Sequence, residues 1–336
     1  MRDWICELTR RAPRACGPSI ARRRRKERAV GKILVVGVTC ADVILRIDHL
    51  PHTAEDVIAH EQRTTLGGCA FNAFWVMHAL GEPAVLFSPI GTGPYGDFVR
   101  TNLAKEGITS PIDDAKGENG CCFCFVEAGG ERTFIAHHGA DYRYRREWFD
   151  RIDVDDIDFV YVCGLEIEEP SGPYIVDFLE RRCAGKTIFF TPGPRPAKVP
   201  ADLLDRIYDL HPILHLNSSE AQLCADRIAG EEMTVSRGAS SILADRTGNT
   251  VFVTLGKKGC SYETGDACGT VPKAPEKRIV DTIGAGDAHI GAVMACLHRG
   301  DGIEDAIACA NRVCAMVVAT EGAHPEAEAV RAAARG

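Results

Sequence analysis

The run Asp281-Thr282-Ile283-Gly284-Ala285-Gly286-Asp287 leads directly into an apolar, helical stretch at 288–298. Glycines at a helix start let backbone N–H groups approach an anion closely, and the helix dipole adds attraction for developing negative charge. Asp287 falls in the first turn of that helix, where it could take the proton of a hydroxyl attacking a phosphoryl group held at 284–286. Taken alone, the same residues equally support an Asp that stabilises a helix N-terminus beside a tight turn. A second glycine pair lies upstream in Gly67-Gly68-Cys69-Ala70-Phe71-Asn72, before a helix that Gly81 stops. Two further carboxylates stand at element ends. Asp42 follows the first strand in Gly37-Val38-Thr39-Cys40-Ala41-Asp42 and suits acceptance of hydroxyl protons, or a turn. Glu220, in Asn217-Ser218-Ser219-Glu220, suits the oxygen ligation that Mg²⁺ prefers, while a cap from Ser218 or Ser219 with Glu220 in the first turn reads as a helix start.

The heptapeptide resembles the second signature of the ribokinase-like (PfkB) carbohydrate kinases, Asp-Thr-x-Gly-Ala-Gly-Asp. The resemblance implies that Asp287 is the catalytic base and that Gly284, Ala285 and Gly286 form the anion hole. The upstream cluster is similar to the family's first signature, which implies that Gly67, Gly68 and Asn72 hold a sugar, with Asp42 and Glu166 also on the substrate. Asn217 and Glu220 match the family's Asn-x-x-Glu at the magnesium and its waters, and Asn217 also belongs to the ATP set. Thr254-Leu255-Gly256-Lys257-Lys258-Gly259 resembles its nucleotide turn, implying ATP contacts from Thr254, Gly256 and Gly259, with Thr282 and, beside the adenine, Asn311. The implied cofactors are ATP and Mg²⁺, with a monovalent cation. The implied acceptor is a sugar hydroxyl; a nucleoside kinase and a non-catalytic sugar-binding regulator are the alternatives, and the intact Asp287 and Glu220 argue against the last. Three positions depart from the family pattern: Gly93 where Asp is common, His289 where Phe is usual, and Thr191-Pro192-Gly193-Pro194-Arg195, which keeps only the Arg of Asp-x-Asn-x-Arg. The sequence contains no Gly-x-x-x-x-Gly-Lys-[Ser/Thr], which excludes a P-loop kinase, and no Gly-x-Gly-x-x-Gly directly after the first strand, which argues against a Rossmann dehydrogenase.

The elements that must carry these residues alternate in the manner of βαβ units. Buried strands are expected at 33–37, 85–88, 159–163, 187–191 and 213–216. Helices are expected near 72–80, 95–106, 174–183 and 218–225. From Thr250 the strands at 250–255, 260–264 and 268–271 follow too closely for crossover helices and must be antiparallel hairpins. Two long helices, 286–298 and 303–319, close the domain. Segments 43–65 and 118–138 break the pattern; the second reads as a hairpin turning at Ala128-Gly129-Gly130, and both suit a small accessory sheet that closes over a site. The fold class is therefore α/β, ribokinase-like: a mainly parallel central sheet covered by helices on both faces, with a small β lid. The kinase domain spans 31–325 and a C-terminal tail 326–336. Phe123, Phe125 and Phe134 on the lid hairpin would stack on a nucleoside or pack the lid, and an apolar lid suits a homodimer.

Of 336 residues, 45% are apolar and 26% charged, the balance of a globular chain. Residues 1–32 carry 11 Lys and Arg against 3 Asp and Glu, whereas 33–336 carry 28 against 44, a net −16. An acidic folded part makes neither a nucleic-acid platform nor, lacking a long apolar run, a membrane span. The basic start around Arg22-Arg23-Arg24-Arg25-Lys26 lacks the serines of a transit peptide and the apolar core of a secretory signal; initiation near Val30 is the preferred reading. Fifteen scattered cysteines, with no signal peptide, suit buried thiols in a reducing cytoplasm rather than a disulfide framework.

Overall fold

The computed structural model describes residues 31–275 and 279–336, and the basic start and the expectation about Val30 lie outside the described residues. In chain order, β1 (Lys32–Val36), β2 (Cys40–Arg46) and β3 (Glu61–Gly67) lead into α1 (Cys69–Ala79), β4 (Ala84–Phe87) and α2 (Gly93–Lys105). The hairpin β5 (Cys121–Val126) and β6 (Arg132–His137) follows, then β7 (Ile157–Cys163), the single turn α3 (Gly164–Ile167), α4 (Gly172–Arg182), β8 (Thr187–Thr191), α5 (Ala201–Asp209) and β9 (Ile213–Asn217). The last third comprises α6 (Ser218–Ala229), α7 (Glu231–Arg237), α8 (Ala239–Thr247), β10 (Val251–Thr254), β11 (Cys260–Glu263), β12 (Cys268–Val271), α9 (Ala285–Arg299), α10 (Ile303–Val317) and α11 (Ala327–Arg335).

After the exposed Lys32, β1 is apolar because both of its faces are covered. Ile33 and Val35 enter one core with α1, α9 and α10, while Leu34 and Val36 enter another with α4, α5, α6 and α8. The main sheet runs β12-β11-β10-β9-β8-β7-β1-β4, parallel from β4 to β10 and antiparallel at β11 and β12, as the short spacing after Thr250 requires. A second sheet, β3-β2-β5-β6, forms the lid, with β2 and β5 parallel and the outer pairs antiparallel. The lid is pinned at its base by Asp141, whose Oδ1 accepts the N–H groups of Gly120 (2.7 Å) and Gly139 (3.0 Å). All the described cysteines are free thiols and most are buried.

Apart from Asn72 and the exposed His78, helix α1 is apolar because it is enclosed by the sheet, α9 and α11. Its crossing with α9 is close: a Cβ at Gly291 would lie 2.4 Å from the Ala73 carbonyl oxygen. Residues 326–336, expected as a tail, instead include α11, which buries Val330 and ties to the body through Arg331 to the Ala79 carbonyl and Arg312 to the carbonyls of Ala333 and Ala334. Glu328, Arg331 and Arg335 fall at helical spacing away from the buried Val330, so a helical period is present in the stretch expected as a tail. The helix α5 also goes unforeseen, although Leu203, Leu204, Ile207 and Tyr208 form a buried stripe of helical spacing behind Pro200.

Candidate active site

The exits of the parallel strands, where α/β sheets bind ligands, meet the start of α9 beneath the lid. Gly284 is the residue before α9 and has φ 71°, a left-handed conformation that a side chain would strain; its Cβ would also fall 2.5 Å from that of Ala323. Gly286 faces open space, so a ligand has room above the first turn, whose N–H groups have no intrahelical acceptor. Ile283 is drawn under the lid against Ile44, Cys124 and Val126. The preceding Asp281 is 5% exposed and accepts N–H groups from Ile283 (2.9 Å) and Gly322 (3.1 Å). Two lid arginines answer its charge, Arg132 at 2.9 Å and Arg63 at 3.9 Å. The lid and the loop before α9 are thereby fastened together.

Asp287 occupies the first turn of α9, and Asn72 Nδ2 donates to its Oδ2 at 2.8 Å. Burial pushes the Asp287 carboxyl up to about 6; hydrogen bonds from Asn72 and Cys69 pull it back, and the Glu220 charge pushes it further. Asp42, on β2 of the lid, is pushed up to about 7, mainly by burial, with the Asp287 charge adding and the Cys40 thiol opposing. The two carboxylates therefore share one electrostatic field. The double glycine is what admits Asp42: a Cβ at Gly67 would lie 2.1 Å from the Asp42 carboxyl carbon, and at Gly68 (φ 100°) 2.4 Å from the Val38 carbonyl oxygen.

Glu220 and Asn217 form a capping box at the start of α6. Asn217 Oδ1 accepts the Glu220 N–H and Glu220 Oε2 accepts the Asn217 N–H, each at 2.9 Å. The cap is thus Asn217, not either serine. Burial raises the Glu220 carboxyl and the cap lowers it. Thr254 ends β10 opposite Asn217, and Gly259 lets the next turn pass under β12, since a Cβ there would sit 2.1 Å from the Val271 carbonyl oxygen. Gly256 and Thr282 are exposed.

Three residues expected at ligands are engaged inside the protein. Asn72, 5% exposed, spends both ends of its amide, on Asp287 and on His324. Glu166, 1% exposed, lies beneath the strand-one exit and accepts the Val38 N–H at 2.8 Å. Asn311 donates to the carbonyls of Val271 (3.3 Å) and Pro272 (2.9 Å), fixing the chain after β12 to α10. His289 is a core histidine hydrogen-bonded to His215 at 2.9 Å. Arg195 of the altered 191–195 segment is ion-paired with Glu168. Sequence reasoning missed Asp281 as an ion-pair centre, Cys69 beside Asp287, and His324; none has a spacing signal, because their partners lie 149, 218 and 252 residues away.

The family profile described as pfkB family carbohydrate kinase matches residues 30–329. The uncharacterized sugar kinase YegV of Escherichia coli is 36% identical over 290 residues, covering 86% of this chain and 89% of that protein. The solved ribokinase of Thermotoga maritima superposes with a TM-score of 0.78 at 25% identity, covering 91% of this chain and all of the other. The Arabidopsis thaliana ribokinase solved with ribose and ATP superposes with a TM-score of 0.73 at 20% identity, over 92% of this chain and all of the other. With the profile spanning most of its length and both signatures meeting at the start of α9, this chain belongs to the pfkB family of carbohydrate kinases.

Proposed function

We propose that this chain transfers the γ-phosphoryl group of ATP to a hydroxyl of a sugar, with Asp287 as general base. One observation carries the reading: a carboxyl raised to about 6, close to working pH, stands in the first turn of a helix whose glycine-lined start opens on free space. The acceptor hydroxyl gives its proton to Asp287 as its oxygen bonds to the γ-phosphorus. The bond from that phosphorus to the bridging oxygen breaks, and its electron pair leaves with ADP. The first-turn N–H groups at Gly286 and Asp287 stabilise the charge on the transferring oxygens. Asp42 accepts protons from further hydroxyls of the sugar, and Gly67 and Gly68 keep the backbone low enough for it to do so. Thr254, Gly256, Gly259 and Thr282 line the nucleotide side, with Asn311 holding its wall in position.

Magnesium suits a donor set of few carboxylates completed by phosphate and water oxygens, and Glu220, held by Asn217 where its charge still reaches Asp287, supplies such a carboxylate. When bound, it would neutralise charge on the phosphates; Glu220 would hold it or its waters, and Asn217 fixes Glu220. The lid, tied to the anion loop through Arg132 and Asp281, keeps water from the reacting groups. Phe134 and Ile135, exposed on the edge strand β6, support pairing of two copies through their lids. The test is a panel of pentoses, hexoses and nucleosides, assayed with Mg-ATP for ADP release and for thermal shift. One or more sugars should be phosphorylated and raise the melting temperature. Phosphorylation of nucleosides alone would refute the sugar acceptor, and ADP release with none of them would refute the activity.

A further inference from the structure

We propose that His324 is a positioning residue for phosphoryl transfer: its Nε2–H holds the Asn72 amide so that Nδ2 faces Asp287. The proposal rests on the reading of Asp287 as the base, and asks what keeps that base supplied with a donor. Asn72 Nδ2 lies 2.8 Å from Asp287 Oδ2, and His324 Nε2 lies 2.7 Å from Asn72 Oδ1. An amide that gives its NH₂ to a carboxylate leaves only an acceptor at its other end, so the imidazole nitrogen facing it must carry a proton. Without that partner the amide could turn by half a rotation, and its oxygen would then oppose the carboxylate.

The surroundings hold the ring in this role. The imidazole packs edge-on to Phe71 at 4.9 Å between centroids and to Trp75 at 5.8 Å, and Trp75 Nε1 donates to the Pro325 carbonyl at 3.0 Å. Burial pushes His324 down to about 3, so the ring is neutral at working pH, and a neutral ring donating from Nε2 leaves Nδ1 as its acceptor. The same loop crosses the anion hole, since Ala323 packs on Gly284. His324 therefore links the loop after α10 to the amide on α1 and the base on α9.

The titratable groups facing Asp287 are Cys69 on α1, Asp42 on β2, Glu220 on α6, Cys314 on α10 and Tyr161 on β7. The His324 ring meets Asn72, Phe71 and Trp75 rather than any of these groups. The Asn72 hydrogen bond lowers the Asp287 carboxyl, so its loss should raise the titration midpoint, by about one pH unit for one hydrogen bond to a charged group.

The experiment titrates the Asp287 carboxyl by ¹³C NMR in the ligand-free full chain, with the resonance identified from its absence in Asp287→Asn. His324→Phe, which keeps a ring without a donor, should raise the midpoint, whereas His324→Gln, which keeps a donor, should restore it towards wild type. Equal midpoints in all three proteins would overturn the proposal. Should the Phe variant fail to fold, ¹⁵N NMR of the wild-type imidazole decides: a proton on Nε2 supports the arrangement, and a proton on Nδ1 alone overturns it. With the best sugar from the panel, the acid limb of the pH–rate profile should move with the midpoint. Near-wild-type turnover of Asp287→Asn would instead sink the base reading, an outcome distinct from an unmoved midpoint.

Discussion

Replacing Glu166 by Gln should stabilise the ligand-free protein at neutral pH, although it alters a buried, hydrogen-bonded residue. Burial pushes the Glu166 carboxyl from its ordinary 4.5 up to about 8, against the Val38 N–H bond that favours the charged form. The folded state thus keeps a proton at pH 7 that the unfolded chain releases. A raised folded pKa contributes stability that is complete below about pH 4.5 and is lost as pH rises through about 8, at roughly 1.4 kcal/mol per pH unit. By pH 7.5 the loss amounts to roughly 3–4 kcal/mol from this one group. Gln preserves the acceptor for Val38 and does not titrate. Denaturant unfolding of the two proteins should therefore give equal stability near pH 4.5 and a gap of that order near pH 7.5, with the variant the more stable. Comparison between variants cancels the lowered histidines and the raised carboxyls that do not interact with Glu166, leaving Asp141 as the one raised carboxyl that feels the change. Parallel stability–pH curves would refute the buried, protonated Glu166.

Gly291→Ala should cost roughly 1–3 kcal/mol by overpacking the α1–α9 crossing, and, because Ala73 adjoins Asn72, should lower kcat more than it raises the KM for ATP; unfolding and steady-state assays check both. Glu220→Gln keeps a capping-box partner for Asn217, so the melting temperature should stay close to wild type while the Mg²⁺ needed for half-maximal rate rises; the reverse pattern would make Glu220 a helix cap alone. Arg132→Met should destabilise by up to roughly 3 kcal/mol, by stripping the nearer partner from a buried carboxylate. Much of that should return in the double variant with Asp281→Asn, measured as a double-mutant cycle of unfolding free energies.

The parallel sheet was legible because its strands are covered on both faces and so read as unbroken apolar runs, as in Ile33-Leu34-Val35-Val36. The glycine turn before α9 was legible because a left-handed Gly284 and an uncluttered Gly286 leave a local trace in residue type. What stayed hidden depends on tertiary approach. The commitment of Asn72 to Asp287 follows from a helix crossing set by Gly291, and the ion pair of Asp281 with Arg132 follows from where the lid docks. Glu166 sits only two residues past Gly164 at the end of β7, yet whether it faces substrate or the strand below depends on α3, a single turn whose sequence carries no period.

Asp287→Asn tests the proposed chemistry most directly. Asn keeps the size of the side chain and part of its hydrogen bonding but cannot accept the proton, so turnover with the best sugar should fall ~10²–10⁴-fold. Binding of ATP and of the sugar, followed by titration, should change little, and at neutral pH the variant should be no less stable than wild type, since removing a charge that burial disfavours outweighs the roughly 0.3–1 kcal/mol it contributes at the start of α9. Turnover close to wild type would contradict the assignment of Asp287 as the base.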